Sequence, residues 1–247
     1  MSLKYQTEDD EPQTTDAQAR PAEPVQTPLP LYTIVLIAAI GVVALTQFAT
    51  GLDASIVAAG FDKVAFIANH EYWRILTGAT THGSILHVVM NCYAFYSFGK
   101  IFEMLANRAH LAVVFLLSAI GGGILSLVFM PHGTSVGASG GIVGLIGYLA
   151  IYAFRRRQFI SPAFRKNLLI NIGFILVFGL VLYQTIDNFG HIGGLLTGAV
   201  YGLLQIPADA HVDPRVAGSG MEFAGIAALG VYIAGCVFSI LLILRVI

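Results

Sequence analysis

The sequence predicts an all-α fold, a polytopic bundle of membrane-spanning helices. Hydrophobic residues make up 56% of the 247 residues and charged residues only 11%, whereas a soluble domain carries about 25% charged residues. Several apolar runs approach the length of about 20 residues that a helix needs to cross a bilayer. A net charge of −1 offers no basic surface for nucleic acid. We therefore expect a lipid bilayer as the surroundings of this chain and no nucleic-acid partner.

The apolar runs divide the chain into a tail, a helical core, a linker and a last helix. They predict seven helices, at about 32–50, 84–105, 109–130, 139–154, 168–186, 190–206 and 221–244. Residues 1–31 are polar and rich in proline, which is typical of a disordered tail. The predicted organisation is the tail at 1–31, a core at 32–206, a linker at 207–220 and an additional transmembrane helix at 221–247. In the connection at 51–83, Trp73 is expected to anchor the chain at the membrane surface.

The distribution of basic residues predicts the orientation. With the N-terminus in the cytoplasm, ten Lys and Arg residues fall on the cytoplasmic side and three outside. Short cytoplasmic loops collect positive charge, as in the run 155–157. We expect a multi-pass protein of the cell (inner) membrane, with the tail and the 207–220 linker in the cytoplasm.

A serine and a histidine occupy matching places in two helices. Ser139 opens the fourth predicted helix and His191 opens the sixth, and each precedes the end of its helix by 16 residues. That is roughly 24 Å of helix, short of a hydrocarbon core about 30 Å thick. Both side chains are therefore expected at the same depth below the outer surface. Ionisable groups at such depth are rare and mostly functional.

This pair has the chemistry of a hydrolase, because a serine hydroxyl needs a nearby base to become a nucleophile. Glycines recur every four residues in the sixth helix and are frequent in the fourth, so the two backbones can approach closely. The sixth helix carries Gly190, Gly194, Gly198 and Gly202, and the fourth carries Gly140, Gly144 and Gly147. The alternative interpretation is that the glycines only pack two helices and that His191 is a buried structural histidine.

The same end of the bundle offers hydrogen-bond donors for an oxyanion. His87 and Asn91 are four residues apart on one face of the second helix, and the backbone N–H of Ser139 lies at a helix start. The alternative for the two side chains is a polar stripe that bonds neighbouring helices. His82 is expected near the surface. Asp187 is expected to face water from the preceding loop, so we predict a Ser–His dyad without a carboxylate.

Other membrane protease chemistries lack their residues. A zinc protease helix needs a second histidine four residues after the first, but His70-Glu71 is followed at that place by Arg74. An aspartyl protease needs two aspartates inside the spans, and no aspartate falls within a predicted helix. We expect neither a metal nor a cofactor.

Four short motifs occur in an order that resembles the rhomboid family of intramembrane serine proteases. They are Trp73-Arg74, His82-x4-His87-x3-Asn91, Gly137-x-Ser139-Gly140 and His191-x2-Gly194-x3-Gly198. The resemblance implies a six-helix catalytic core, here with one extra C-terminal helix. It also implies Ser139 as nucleophile, His191 as base, and His87, Asn91 and the Ser139 amide as the oxyanion hole.

The family also implies membrane-anchored proteins as substrates, cut where their helix can unwind, with the fifth helix as a mobile gate. One departure is Val143, where the family commonly has an aromatic residue against the histidine; Tyr148 is a candidate substitute. Two other functions stay open: a rhomboid-like protein that binds membrane clients without cleaving them, and a transporter or channel, which clustering of polar groups in one leaflet disfavours. Substrate-binding residues and the oligomeric state are not determined by the sequence.

Overall fold

The computed structural model describes residues 29–209 and 211–246, so the predicted tail lies almost entirely outside the described residues. In chain order the elements are α1 (Leu31–Thr50), α2 (Leu52–Ala59), β1 (Phe61–Asp62), α3 (Lys63–Ala68), α4 (Arg74–Thr77), α5 (Ile85–Leu105), α6 (Arg108–Phe129), β2 (Thr134–Ser135), α7 (Ser139–Arg155), α8 (Pro162–Val181), α9 (Asn188–Gln205) and α10 (Ser219–Ile243).

Seven of these helices are long, and they occupy the seven runs predicted from the sequence. Within the described ranges, α1, α6, α8 and α10 are each long and apolar enough to cross a membrane by length and composition. The largest shift in a boundary is at α8, which was predicted at 168–186 and begins six residues earlier. Ser161 caps it by accepting a hydrogen bond from the Phe164 N–H at 3.2 Å, and Pro162 is its first residue.

The centre of the bundle is α7, most of whose residues are buried. It packs against α9 with almost no side chain between the backbones. A Cβ atom added at Gly194 would lie 2.0 Å from the carbonyl oxygen of Gly140, and one at Gly198 would lie 1.9 Å from that of Gly144. The glycines of both helices are therefore required for this approach, which brings the first turns of α7 and α9 together.

The connection between α1 and α5 is folded onto the bundle rather than extended. Its strand β1 pairs with β2 in an antiparallel ladder, with Phe61 opposite Ser135 and Asp62 opposite Thr134. No strand was predicted from the sequence, because a strand of two residues is too short to show an alternating pattern. The consequence is that the segment leading into α7 is held by the first connection.

The last helix, α10, belongs to the packed structure. Tyr232 is buried and donates its hydroxyl to the carbonyl of Ala79 at 2.9 Å, and the hydroxyls of Thr80 and Ser239 lie 2.8 Å apart. Trp73, predicted as a surface anchor, is 41% exposed and meets Phe238 edge to face. Helix α10 therefore supports residues 73–80, which lead towards α5.

Candidate functional site

Ser139 is the first residue of α7, and the segment before it turns sharply. Gly137 has a φ of +121°, which favours glycine, and its N–H donates to the carbonyl of Gly78 at 2.9 Å. The Ser139 hydroxyl therefore lies at the N-terminus of α7. The backbone amides of this first turn have no carbonyl one turn earlier to bond.

His191 lies in the first turn of α9 and reaches Ser139. Its Nε2 atom is 2.9 Å from the Ser139 Oγ. When Nε2 accepts the hydroxyl proton, Nδ1 must carry the ring proton. Nδ1 is buried and finds no hydrogen-bond partner among the described residues. The structure therefore brings the two predicted residues into hydrogen-bond contact without a carboxylate bonded to the ring.

His87, from α5, lies against the segment that precedes Ser139. A Cβ atom added at Gly137 would be 2.8 Å from the Cε1 and Nε2 atoms of His87 and 3.8 Å from the Ser139 Oγ. The Gly83 N–H donates to His87 Nδ1 at 3.4 Å, which leaves the proton on Nε2. The edge of the ring that lies against Gly137, two residues before the serine, is therefore a hydrogen-bond donor.

Asn91 is buried on the same helix, but its amide is bonded to that helix. Its Nδ2 donates to the carbonyl of His87 at 2.9 Å, while its Oδ1 is buried and has no partner within the described part of the chain. A role in an oxyanion hole requires the amide to leave this bond. The structure places Asn91 close to His87 without directing it at Ser139.

His82, for which the sequence favoured packing in a loop near the surface at least as much as catalysis, is fully buried within the protein, in the connection before α5. Gln47 of α1 holds its backbone on both sides, accepting from its N–H at 2.9 Å and donating to its carbonyl at 3.2 Å. Its ring meets that of His87 edge to face at 5.1 Å, and burial lowers the pKa of His82 to about 3. A neutral imidazole thus packs behind His87.

Asp187 was expected to face water, and this was wrong. Its side chain is only 22% exposed and caps α9, accepting from the Gly190 N–H at 2.8 Å. The sequence carried the signal, because an aspartate directly before a helix start is a preferred N-cap.

The position expected to carry an aromatic residue is a packed valine. Val143 is buried, and the proposed substitute, Tyr148, does not reach the histidine. The Tyr148 ring packs on Phe102 of α5, with centroids 4.4 Å apart, and on Tyr201 of α9 at 6.2 Å. Tyr148 lies more than two helical turns beyond Ser139, which explains the separation.

A small cavity lies beside Ser139. Its volume is about 50 Å³, which is enough for a few water molecules or a small side chain. The lining combines glycines, five apolar side chains and three polar ones: Gly78, Gly122, Gly123, Gly137, Gly140, Gly190, Phe61, Ile75, Ala79, Ala119, Val136, Ser135, Ser139 and Asp187. Its walls come from the first connection, α6, the segment before α7, α7 and α9, so it lies against the elements that hold the serine and histidine.

The model of the Rhomboid domain matches residues 69–208. The chain belongs to the rhomboid family. As a rhomboid with several apolar helices, it is an integral, multi-pass membrane protein with a helical-bundle fold, as the sequence predicted.

Individual relatives include a rhomboid named as a protease and one named as inactive. The chain is 36% identical over 144 residues to "Rhomboid protease GluP" of Bacillus subtilis, which covers 58% of this chain and 28% of that protein. It is 34% identical over 148 residues to "RHOMBOID-like protein 6, mitochondrial" of Arabidopsis thaliana, covering 57% and 46%. It is 28% identical over 139 residues to "Inactive rhomboid protein 1" of Papio anubis, covering 56% and 16%. Each match spans less than half of the relative's own length.

Proposed function

We propose that this rhomboid is an intramembrane serine endopeptidase that cleaves transmembrane-anchored proteins with a Ser139–His191 dyad. The observation that carries the proposal is the 2.9 Å separation of Ser139 Oγ and His191 Nε2, which is the distance that proton transfer from nucleophile to base requires. The family supports the class of reaction, and the relative named as a protease supports activity over simple binding.

In the proposed reaction, Ser139 Oγ attacks a peptide carbonyl while His191 Nε2 takes its proton. The imidazolium then gives that proton to the leaving amine, and a water molecule activated by the same nitrogen hydrolyses the acyl-enzyme. A transmembrane helix has its carbonyls engaged in its own hydrogen bonds. Its backbone must therefore unwind before a carbonyl can reach the serine.

The negative charge of the tetrahedral intermediate needs donors already in position. The Ser139 N–H and the Nε2–H of His87 are the candidates that the geometry favours, because both lie at the first turn of α7. Asn91 is a third candidate and joins them only after its Nδ2 group leaves the carbonyl of His87. With the N-terminus in the cytoplasm, these groups face the outer leaflet of the cell membrane.

The test is cleavage of a membrane-anchored reporter by the full chain, with labelling by a fluorophosphonate probe that reacts with activated serines. Removal of the nucleophile in Ser139→Ala, or of the base in His191→Ala, is expected to lower cleavage by about 10⁴-fold or more, with unchanged expression. Ser97→Ala is a matched control, because Ser97 is a hydroxyl on α5 that bonds its own helix. Equal cleavage by the Ser139→Ala protein would end the proposal.

The second candidate is a rhomboid that binds membrane clients without cutting them. It is favoured by the inactive relative, which matches this chain over a similar share of residues. Binding of the reporter without cleavage, together with no probe labelling in detergent or in lipid, would support this candidate and contradict the protease.

A further inference from the structure

A partly buried ionic network surrounds Asp187. Its carboxylate accepts from the Gly190 N–H at 2.8 Å through Oδ1. Through Oδ2 it accepts from the Ser135 hydroxyl at 2.5 Å and from the Ser126 hydroxyl. One carboxylate thus joins three separate elements, which are α6, β2 and α9.

The charge of this carboxylate is matched by an unusual lysine. Lys63 of α3 is 1% exposed, donates to the Ser135 hydroxyl at 2.8 Å and places its Nζ 3.9 Å from Asp187 Oδ2. Burial lowers the pKa of Lys63, while the charges of Asp187 and Asp62 act in the opposite direction. A long cationic side chain is rarely buried so completely without a partner, so Lys63 and Asp187 form a unit.

The two ends of the network lie next to the two reacting residues. Gly190 directly precedes His191, and Ser135 is four residues before Ser139 at the start of the turn into α7. The carboxylate therefore links the turn that carries the base to the segment that carries the nucleophile. Sideways movement of either segment breaks a hydrogen bond to Asp187.

We propose that Asp187, bonded to Gly190 and Ser135 and paired with Lys63, is a positioning residue that fixes the Ser139–His191 distance. This inference rests on the proposed protease function. Asp187 acts through the backbone of α9 and through β2, without a hydrogen bond to the imidazole. No carboxylate bonds to Nδ1 of His191, so the position of His191 relative to Ser139 must be fixed in another way. The hydrogen bonds of Asp187 to Gly190 and Ser135 fix it through the backbone.

The experiment compares variants of the full chain by the rate of fluorophosphonate labelling per folded protein, and by kcat and KM for the reporter. Asp187→Asn keeps the size of the side chain but removes one acceptor oxygen and the charge. It is expected to lower kcat and the labelling rate by up to about 100-fold, the effect of misplacing reacting groups by about 1 Å, with KM unchanged within about twofold. The matched control is Asp213→Asn, which removes a carboxylate bonded to Arg215 in the 207–218 segment and is expected to leave both values unchanged.

Ser135→Ala is the second variant, and it removes the hydroxyl through which the nucleophile segment bonds to the Asp187 carboxylate and to Lys63. The labelling rate is expected to fall by about 10-fold or more, as for the loss of a charge-assisted hydrogen bond. If Asp187→Asn does not fold, the result for Ser135→Ala decides the test. Labelling of folded Asp187→Asn or Ser135→Ala at the wild-type rate would overturn the proposal, as would a rise in KM alone. Absence of labelling in the unaltered protein is a different result, because it contradicts the protease itself.

Discussion

At position 137 the backbone passes so close to the imidazole of His87 that no side chain fits between them. Gly137 also has a positive φ of 121°, so two separate requirements select glycine there. Gly133, which also lies between α6 and α7, has a φ of +112°, but an added Cβ there would have no atom within 4 Å. Substitutions at the two positions therefore distinguish the effect of backbone strain from the effect of a steric clash with His87.

Gly137→Ala is predicted to displace His87 and lower the labelling rate of Ser139 by about 100-fold, since misplacement of site groups by about 1 Å has effects of this size. Gly133→Ala introduces similar strain, of about 1–3 kcal/mol, without touching the site. Its labelling rate per folded protein should match that of the unaltered chain. Similar losses of activity in both variants would show that strain alone, and not contact with His87, accounts for the glycine.

Single residues also show how far the sequence could predict the site. The sequence placed Ser139 and His191 at equal depth because helix rise is regular, and the structure joins them at 2.9 Å. It missed the burial of His82, because that depends on Gln47 of α1, which is 35 positions away. It misjudged Asp187, whose partners Ser126 and Ser135 come from distant segments. The N-cap role of Asp187 follows from its place before α9, but its bonds to the two serines and the burial of His82 are tertiary contacts that no local pattern encodes.

At the scale of elements, the pairing of α7 with α9 decides whether a site can form. The backbones approach through glycines, and the closest approach is at Gly198, where an added Cβ would lie 1.9 Å from the carbonyl oxygen of Gly144. The sequence predicted this contact from the four-residue period of small residues. It did not predict the ladder between β1 and β2, because the pairing joins residues more than 70 positions apart.

Gly198→Ala is predicted to force α7 and α9 apart and to lower the free energy of unfolding by about 1–3 kcal/mol, the usual range for overpacking. Gly230→Ala on α10 is the matched control, because no atom lies within 4 Å of an added Cβ there, and it should lose no stability. Thermal denaturation of the two variants in the same detergent measures the difference. Equal transition temperatures would mean that the helices can separate without loss.

At the scale of the whole molecule, α10, the last of the seven long helices, is part of the packed bundle. Its contacts with α1 and α6, and the bonds from Tyr232 and Ser239 to residues 79–80, indicate that it supports the chain just ahead of His82. The sequence located this helix by its hydropathy but could not assign its neighbours, because an apolar helix in lipid has no amphipathic stripe to indicate a packing face.

Tyr232→Phe is predicted to leave the carbonyl of Ala79 without its buried donor and to lower the free energy of unfolding by about 1–3 kcal/mol. Tyr93→Phe removes a hydroxyl from an exposed tyrosine of α5 and should have no effect. Thermal denaturation monitored by probe labelling reports both stability and the site. A Tyr232→Phe protein as stable as the Tyr93→Phe protein would contradict a supporting role for α10.

The length of α7 has a consequence for the direction of the proposed reaction. Its 17 residues extend about 25 Å, whereas the 25 residues of α10 extend about 37 Å. Its main neighbour α9 is also short, with 18 residues, whereas α6 has 22. In the proposed reaction, the serine at the start of α7 therefore lies below the ends of the longer helices and is reached from one compartment. Each cut consumes one water molecule, and that compartment supplies it. In the proposed reaction, a soluble fragment freed by the cut is released into the same compartment. The short helix therefore restricts both water entry and product release to one side of the membrane.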